Sequence, residues 1–245
     1  GIPERLRVAA HMQDAAPAVV LALALDEAPH VRDEQLTAIA TLLGIPVREA
    51  AEGLYAAAAA LDPLERLPLA ALAFPALRRR PRPFLEAFVK ALERVIHADE
   101  AVDLDEYCLA KLVAVQVVDA LDPSRAKVTG RRKLAELAAE ATALLATLAR
   151  HGHDSPEEAR RAYVSGIQGL LPTSPPYAPP ADPIAALDAA LPELDRLDPA
   201  GKELLIEALL RTSGHDGRIA PGEAELLRTV CAALHCPMPP LLAST

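Results

Sequence analysis

Pro83-Phe84-Leu85-Glu86-Ala87-Phe88-Val89-Lys90-Ala91-Leu92-Glu93-Arg94-Val95-Ile96-His97-Ala98-Asp99-Glu100-Ala101-Val102-Asp103-Leu104-Asp105-Glu106 is the stretch whose reading decides the fold. Leu85, Phe88, Val89, Leu92, Val95 and Ile96 fall at i, i+3, i+4, i+7, i+10 and i+11, one apolar stripe of a helix. The stripe stops at a turn rich in acids. Asp103 then stands where a helix N-cap belongs, with Glu106 three residues on, and Leu109, Leu112 and Val113 continue a second apolar face. The turn is written again at His215-Asp216-Gly217-Arg218-Ile219-Ala220-Pro221-Gly222-Glu223, 117 residues downstream. Asp99 aligns with Asp216, Val102 with Ile219 and Glu106 with Glu223. The expected fold class is all-α, a multi-helix array containing two helix-turn-helix repeats.

Composition agrees with helices. Hydrophobic residues make up 51% of 245 positions while aromatics supply only 3%, a mixture better suited to close-packed helices than to a sheet. Further starts and stops are legible along the chain. Asp14 and Asp33 read as caps of helices reaching Leu25 and Leu43, and Gly44-Ile45-Pro46 ends the latter. Asp62-Pro63-Leu64-Glu65, Ser155-Pro156-Glu157-Glu158, Asp182-Pro183 and Asp198-Pro199 pair a cap with proline at N1. A single long helix is expected over 131–150. Pro172-Thr173-Ser174-Pro175-Pro176-Tyr177-Ala178-Pro179-Pro180 reads as extended polyproline. The expected organisation is 1–82, an N-terminal helical segment; 83–171, the first repeat with following helices; 172–182, a linker; and 183–245, the second repeat packed on the first.

The balance of 25 basic against 34 acidic residues, a formal charge of -9, argues against a broad nucleic-acid footprint. Arg78-Arg79-Arg80-Pro81-Arg82 and Arg131-Arg132-Lys133 are local exceptions, read as solvated helix ends. Cys108, Cys231 and Cys236 form no CxxC pair, which points to a reduced setting rather than a disulfide framework. The apolar run 15–25 is shorter than the roughly 20 residues a bilayer span needs.

No catalytic motif accompanies the turns: HExxH, GxSxG and Gly-rich phosphate loops are all missing from the sequence. The chain is therefore expected to be non-enzymatic and to need no cofactor. The candidate ligands for a divalent cation are Asp99, Asp103, Glu106, Asp216 and Glu223, with helix capping as the competing reading. Neither turn has EF-hand spacing. His151, His153 and His235 lie near helix ends without zinc-site spacing and read as C-terminal cations or caps. At the tail, Pro237-Met238-Pro239-Pro240-Leu241-Leu242 breaks the last helix and is the candidate docking segment for a protein partner.

Asp216-Gly217-Arg218-Ile219-Ala220-Pro221-Gly222-Glu223 resembles the turn of the TerB-like helical domain, and Asp99 to Glu106 resembles it with Glu100 in place of glycine. Residues 72–82, the segment Asp103-Leu104-Asp105-Glu106-Tyr107-Cys108-Leu109 and the tail Leu234-His235-Cys236-Pro237-Met238-Pro239-Pro240-Leu241-Leu242 look like the C-terminal region of bacterial M48 membrane zinc metallopeptidases, proteases with chaperone function. That resemblance implies a noncatalytic regulatory or interaction module at the cytoplasmic face of the inner membrane. Its membrane attachment would come through a parent chain, and its partner would be another protein or the protease domain. The TerB likeness alone implies a divalent-cation-sensing stress-response domain.

Overall fold

Wholly apolar helices must be enclosed on every side, and the segment Ala-Pro-Ala-Val-Val-Leu-Ala-Leu is such a helix: all eight residues of α2 (Ala16–Leu23) are buried. In the computed structural model, which describes residues 1–98, 103–126, 130–237 and 239, α2 packs against α1 (Glu4–His11), α4 (Ile45–Ala59), α5 (Pro63–Leu77) and α6 (Arg82–Ile96). Helix α3 (Pro29–Leu43) lies on α4 and α6, and α7 (Leu104–Leu121) on α5 and α6. These seven helices form a first compact unit, Gly1–Arg125.

The second unit, Ala126–Thr245, repeats the principle around α8 (Ala138–Gly152), whose residues Leu144 to Ala149 are all buried. Four helices pack on α8: α9 (Pro156–Ile167), α10 (Pro183–Leu194), α11 (Pro199–Ser213) and α12 (Pro221–Ala233). Among the described residues the chain is all-α, a multi-helix array with no strand.

Local chemistry places most boundaries. Asp62, Asp103, Asp182 and Asp198 each accept an amide hydrogen bond at a helix start. Gly44, at φ +93, ends α3 and opens α4 in one residue.

Tertiary contacts override the sequence elsewhere. Asp14 is not a cap: α2 begins after Ala15, and Asp14 instead binds Arg80. Asp33 lies inside α3, which starts earlier at Pro29. The single helix expected over 131–150 does not form. Arg132 donates its amide to Arg196 O at 2.9 Å and accepts from the Asp198 amide at 3.0 Å, a short parallel bridge that holds the backbone extended. A 3-10 turn, Leu134–Leu137, follows before α8 begins.

The chain divides at Arg125/Ala126 rather than at residues 82 and 172–182. The α6 stripe Leu85, Phe88, Leu92 and Val95 shares a core with α2, so the first hairpin belongs to the N-terminal helices. The proline-rich stretch is extended, as its composition dictates, yet it is a strap within the second unit. Tyr163 of α9 donates its hydroxyl to Pro175 O at 3.0 Å, and its ring lies 5.4 Å from that of Tyr177.

Two glycines test this packing in opposite directions. A Cβ on Gly166 would lie 1.9 Å from Thr212 Oγ1 and 2.8 Å from Ala208 O, so α9 and α11 cross there only because the side chain is absent. Gly166→Ala is expected to destabilise the second unit by about 1–3 kcal/mol through overpacking. Gly53, in α4, has only Arg5 Nη2 at 3.9 Å from a built Cβ, and Gly53→Ala is expected to stabilise the first unit by about 0.5–1 kcal/mol. Urea unfolding followed by circular dichroism checks both; equal effects of one sign would contradict the packing described.

Candidate functional site

Each repeated turn joins two helices that pack on one another, α6 to α7 and α11 to α12. In the first, α6 ends at His97, whose Nδ1 lies 2.8 Å from Glu93 O. Asp99 and residues 100–102 lie outside the described residues. Asp103 is the cap of α7, accepting from the Asp105 amide at 3.1 Å. Glu106, half-buried, has its carboxyl pushed up to about 7. Burial is the main cause; Arg66 opposes it, while Asp103, Asp26 and Glu27 add to it.

The second turn reaches a similar plan by different means. Helix α11 stops at Ser213 with Gly214 as C-cap, and the bend beyond it contains Gly217, whose φ of +82 is left-handed as its identity allows. Asp216 closes the bend by accepting from the Arg218 amide at 3.0 Å. Ala220 has no side chain to cap α12. Glu223 supplies the other half of a capping box, its Oε2 accepting from the Ala220 amide at 2.8 Å.

Glu223 is only 2% exposed, and its Oε1 is buried without a hydrogen-bond partner. It rests on Gly152 so closely that a Cβ there would meet the carboxylate at 2.0 Å. Burial raises its pKa. The Ala220 amide, His153 and His151 pull it down, and Asp216 pushes it up.

Asp103 and Glu106 belong to the first unit, Asp216 and Glu223 to the second. Among the described residues no three His, Cys, Asp or Glu side chains converge to hold a metal ion. The histidines serve helix ends: His153 Nδ1 meets Ala149 O at 3.0 Å, and His235 Nδ1 meets Asp195 Oδ1 at 3.1 Å. Of the candidate docking segment, Pro237 is exposed and Pro239 half-buried, while Met238, Pro240, Leu241 and Leu242 lie outside the described residues.

Sequence reading missed the polar groups that face inward. Lys202 is 2% exposed and donates from Nζ to Asp195 Oδ1 at 2.7 Å and to Leu234 O at 2.6 Å. Gln35 of α3 ties Ala24, Asp26 and Val95 together through three hydrogen bonds. The signal was present, since Lys202 sits on the stripe of Leu205 and Leu209, and Glu223 on that of Leu227 and Val230.

Helix α12 ends in a Schellman arrangement. The Cys236 amide donates to Cys231 O at 2.8 Å, the His235 amide to Ala232 O at 3.1 Å, and His235 is left-handed at φ 53. Burial drives the Cys231 thiol up to about 12 and raises that of Cys236, so both stay protonated at neutral pH. Comparison of the chain with protein-family models, with curated proteins and with solved structures finds no match.

Glu106 sets a pH dependence. Between its ordinary value of 4.5 and about 7 the native state keeps a proton that the unfolded chain has released. Stability therefore falls as pH rises through that window. Urea midpoints for the first unit are expected to drop from pH 5 to pH 8, and Glu106→Gln to flatten the drop; an unchanged slope in the variant would refute the assignment.

Proposed function

We propose that this chain is a noncatalytic regulatory or protein-interaction module appended to a membrane zinc metallopeptidase. The observation that carries the reading is how the charged and polar side chains at its interior are used. Lys202, Gln35, Asp195 and His153 bind backbone carbonyls, amides or one another at helix ends, and the buried thiols are held protonated. None of these groups is poised as a nucleophile or general base. The tail and turn residues that resemble the C-terminal region of M48 enzymes supply the setting. Among the described residues no helix is long and apolar enough to cross a membrane, so membrane-spanning segments would fall to other parts of a longer protein.

The test is on the reading frame upstream of Gly1, expected to encode an HExxH helix and apolar spans. In that longer protein, removal of residues 1–245 is expected to alter the degradation of folded substrates while sparing hydrolysis of a short peptide. A start codon immediately before Gly1, or loss of short-peptide hydrolysis on removal, would overturn the proposal.

A second reading, a divalent-cation sensor, is favoured by one observation, the unpartnered Oε1 of Glu223 near Asp216. Because burial raises the pKa of Glu223, cation binding there would strengthen as pH rises. Calorimetry with calcium, magnesium, manganese and zinc is expected to show heat abolished by Glu223→Gln and Asp216→Asn if this reading holds. Absence of heat at millimolar ion would remove it.

A further inference from the structure

The two basic clusters of the sequence meet different fates. In the second, Arg132 pairs with Glu136 and approaches Glu193, and Lys133 pairs with Asp198, so two of its three cations hold the fold and Arg131 is left exposed. In the first, Arg80 is folded back, binding Asp14 and laying its guanidinium 4.1 Å above the Phe84 ring. Arg82 pairs with Glu86 at 2.9 Å and donates to Leu121 O at 3.3 Å. Arg78 and Arg79 remain exposed, with no ion pair among the described residues.

The turn that carries these two arginines is fixed. Gln13 Nε2 donates to Arg79 O at 3.2 Å, and the amides of Arg79 and Arg80 bond Ala76 O and Leu77 O. The Gln13 bond also brings the end of α1 beside the arginines. Met12 precedes Gln13 and is 54% exposed, and Val8, one helical turn earlier, is 49% exposed. The Gln13–Arg79 bond thus brings the turn with the exposed Arg78 and Arg79 against the segment that follows α1, where Met12 is exposed.

We propose that this surface, made by Val8, Met12, Arg78 and Arg79, docks onto an anionic lipid bilayer. Apolar groups entering the headgroup region while cations meet phosphates is the pattern of peripheral membrane contact. The chain's net charge of -9 does not forbid it. Charges farther than about 10 Å from the contact are screened at 0.1 M salt, so the local cluster decides the sign of the interaction. Nucleic acid fits the patch poorly, because the Phe84 face that would stack a base is covered by Arg80.

Sedimentation of the full 245-residue chain with vesicles tests the proposal. With equal parts phosphatidylserine and phosphatidylcholine at about 0.1 M salt the chain is expected to co-sediment, and with phosphatidylcholine alone it is not. Each arginine near such a surface changes partitioning by about fivefold, so Arg78→Glu with Arg79→Glu is expected to lower it about 25-fold or more. The charge-matched pair Arg131→Glu with Arg160→Glu, both exposed in the second unit and not adjacent in sequence, is expected to partition as the parent chain does, within the small effect of added negative charge. Met12→Ser is expected to weaken binding without changing its salt dependence. Circular dichroism confirms that each variant is folded. No co-sedimentation on anionic vesicles, equal loss in both charge-reversal pairs, or binding of a polyglutamate peptide in place of vesicles would overturn the proposal.

Discussion

Enclosure of a helical run buried on every side is the constraint from which the rest of each unit follows. Helix α2 buries all eight of its residues, and α8 buries an unbroken run from Leu144 to Ala149. A helix of that kind needs neighbours on every side, and the chain supplies α1, α4, α5 and α6 around one and α9 to α12 around the other. Once the centre is filled by aliphatic side chains, polar groups are left to the helix ends, where unsatisfied amides and carbonyls await them. Lys202 reaching Leu234 O and Gln35 reaching Val95 O are both this kind of contact.

The repeated turn shows one plan realised with two balances of charge and burial. The first copy has an aspartate cap and a half-buried glutamate among other acids, Asp26, Glu27 and Asp103. The second has no capping side chain, and compensates with Pro221 at N1 and a glutamate that folds inward onto Gly152. Burial is the chief cause that raises the pKa of both glutamates. The turns therefore carry a sensitivity to pH even where they carry no catalysis.

Much of the fold was legible because it rests on local rules. The α6 stripe and the caps at Asp62, Asp103, Asp182 and Asp198 need only neighbours in sequence. Failures came where distant residues decide. Arg196 and Asp198 hold the backbone at Arg132 out of a helix, and Arg80 takes Asp14 away from capping. The proline-rich stretch was rightly extended, but nothing in its composition announces the Tyr163 bond that makes it a strap. Of the candidate site, Asp103 and Glu223 were placed correctly as helix-start residues. The orphaned oxygen of Glu223 and the buried Lys202 were hidden by the habit of assigning charge to solvent, although both stand on apolar stripes.

Native-state hydrogen exchange measures the organising claim most directly. Amides of α2 and α8 are expected to exchange only through global unfolding of their own units, more slowly than those of α1. Exchange of α2 or α8 amides through local opening, at rates like those of α1, would contradict an architecture built around enclosed central helices.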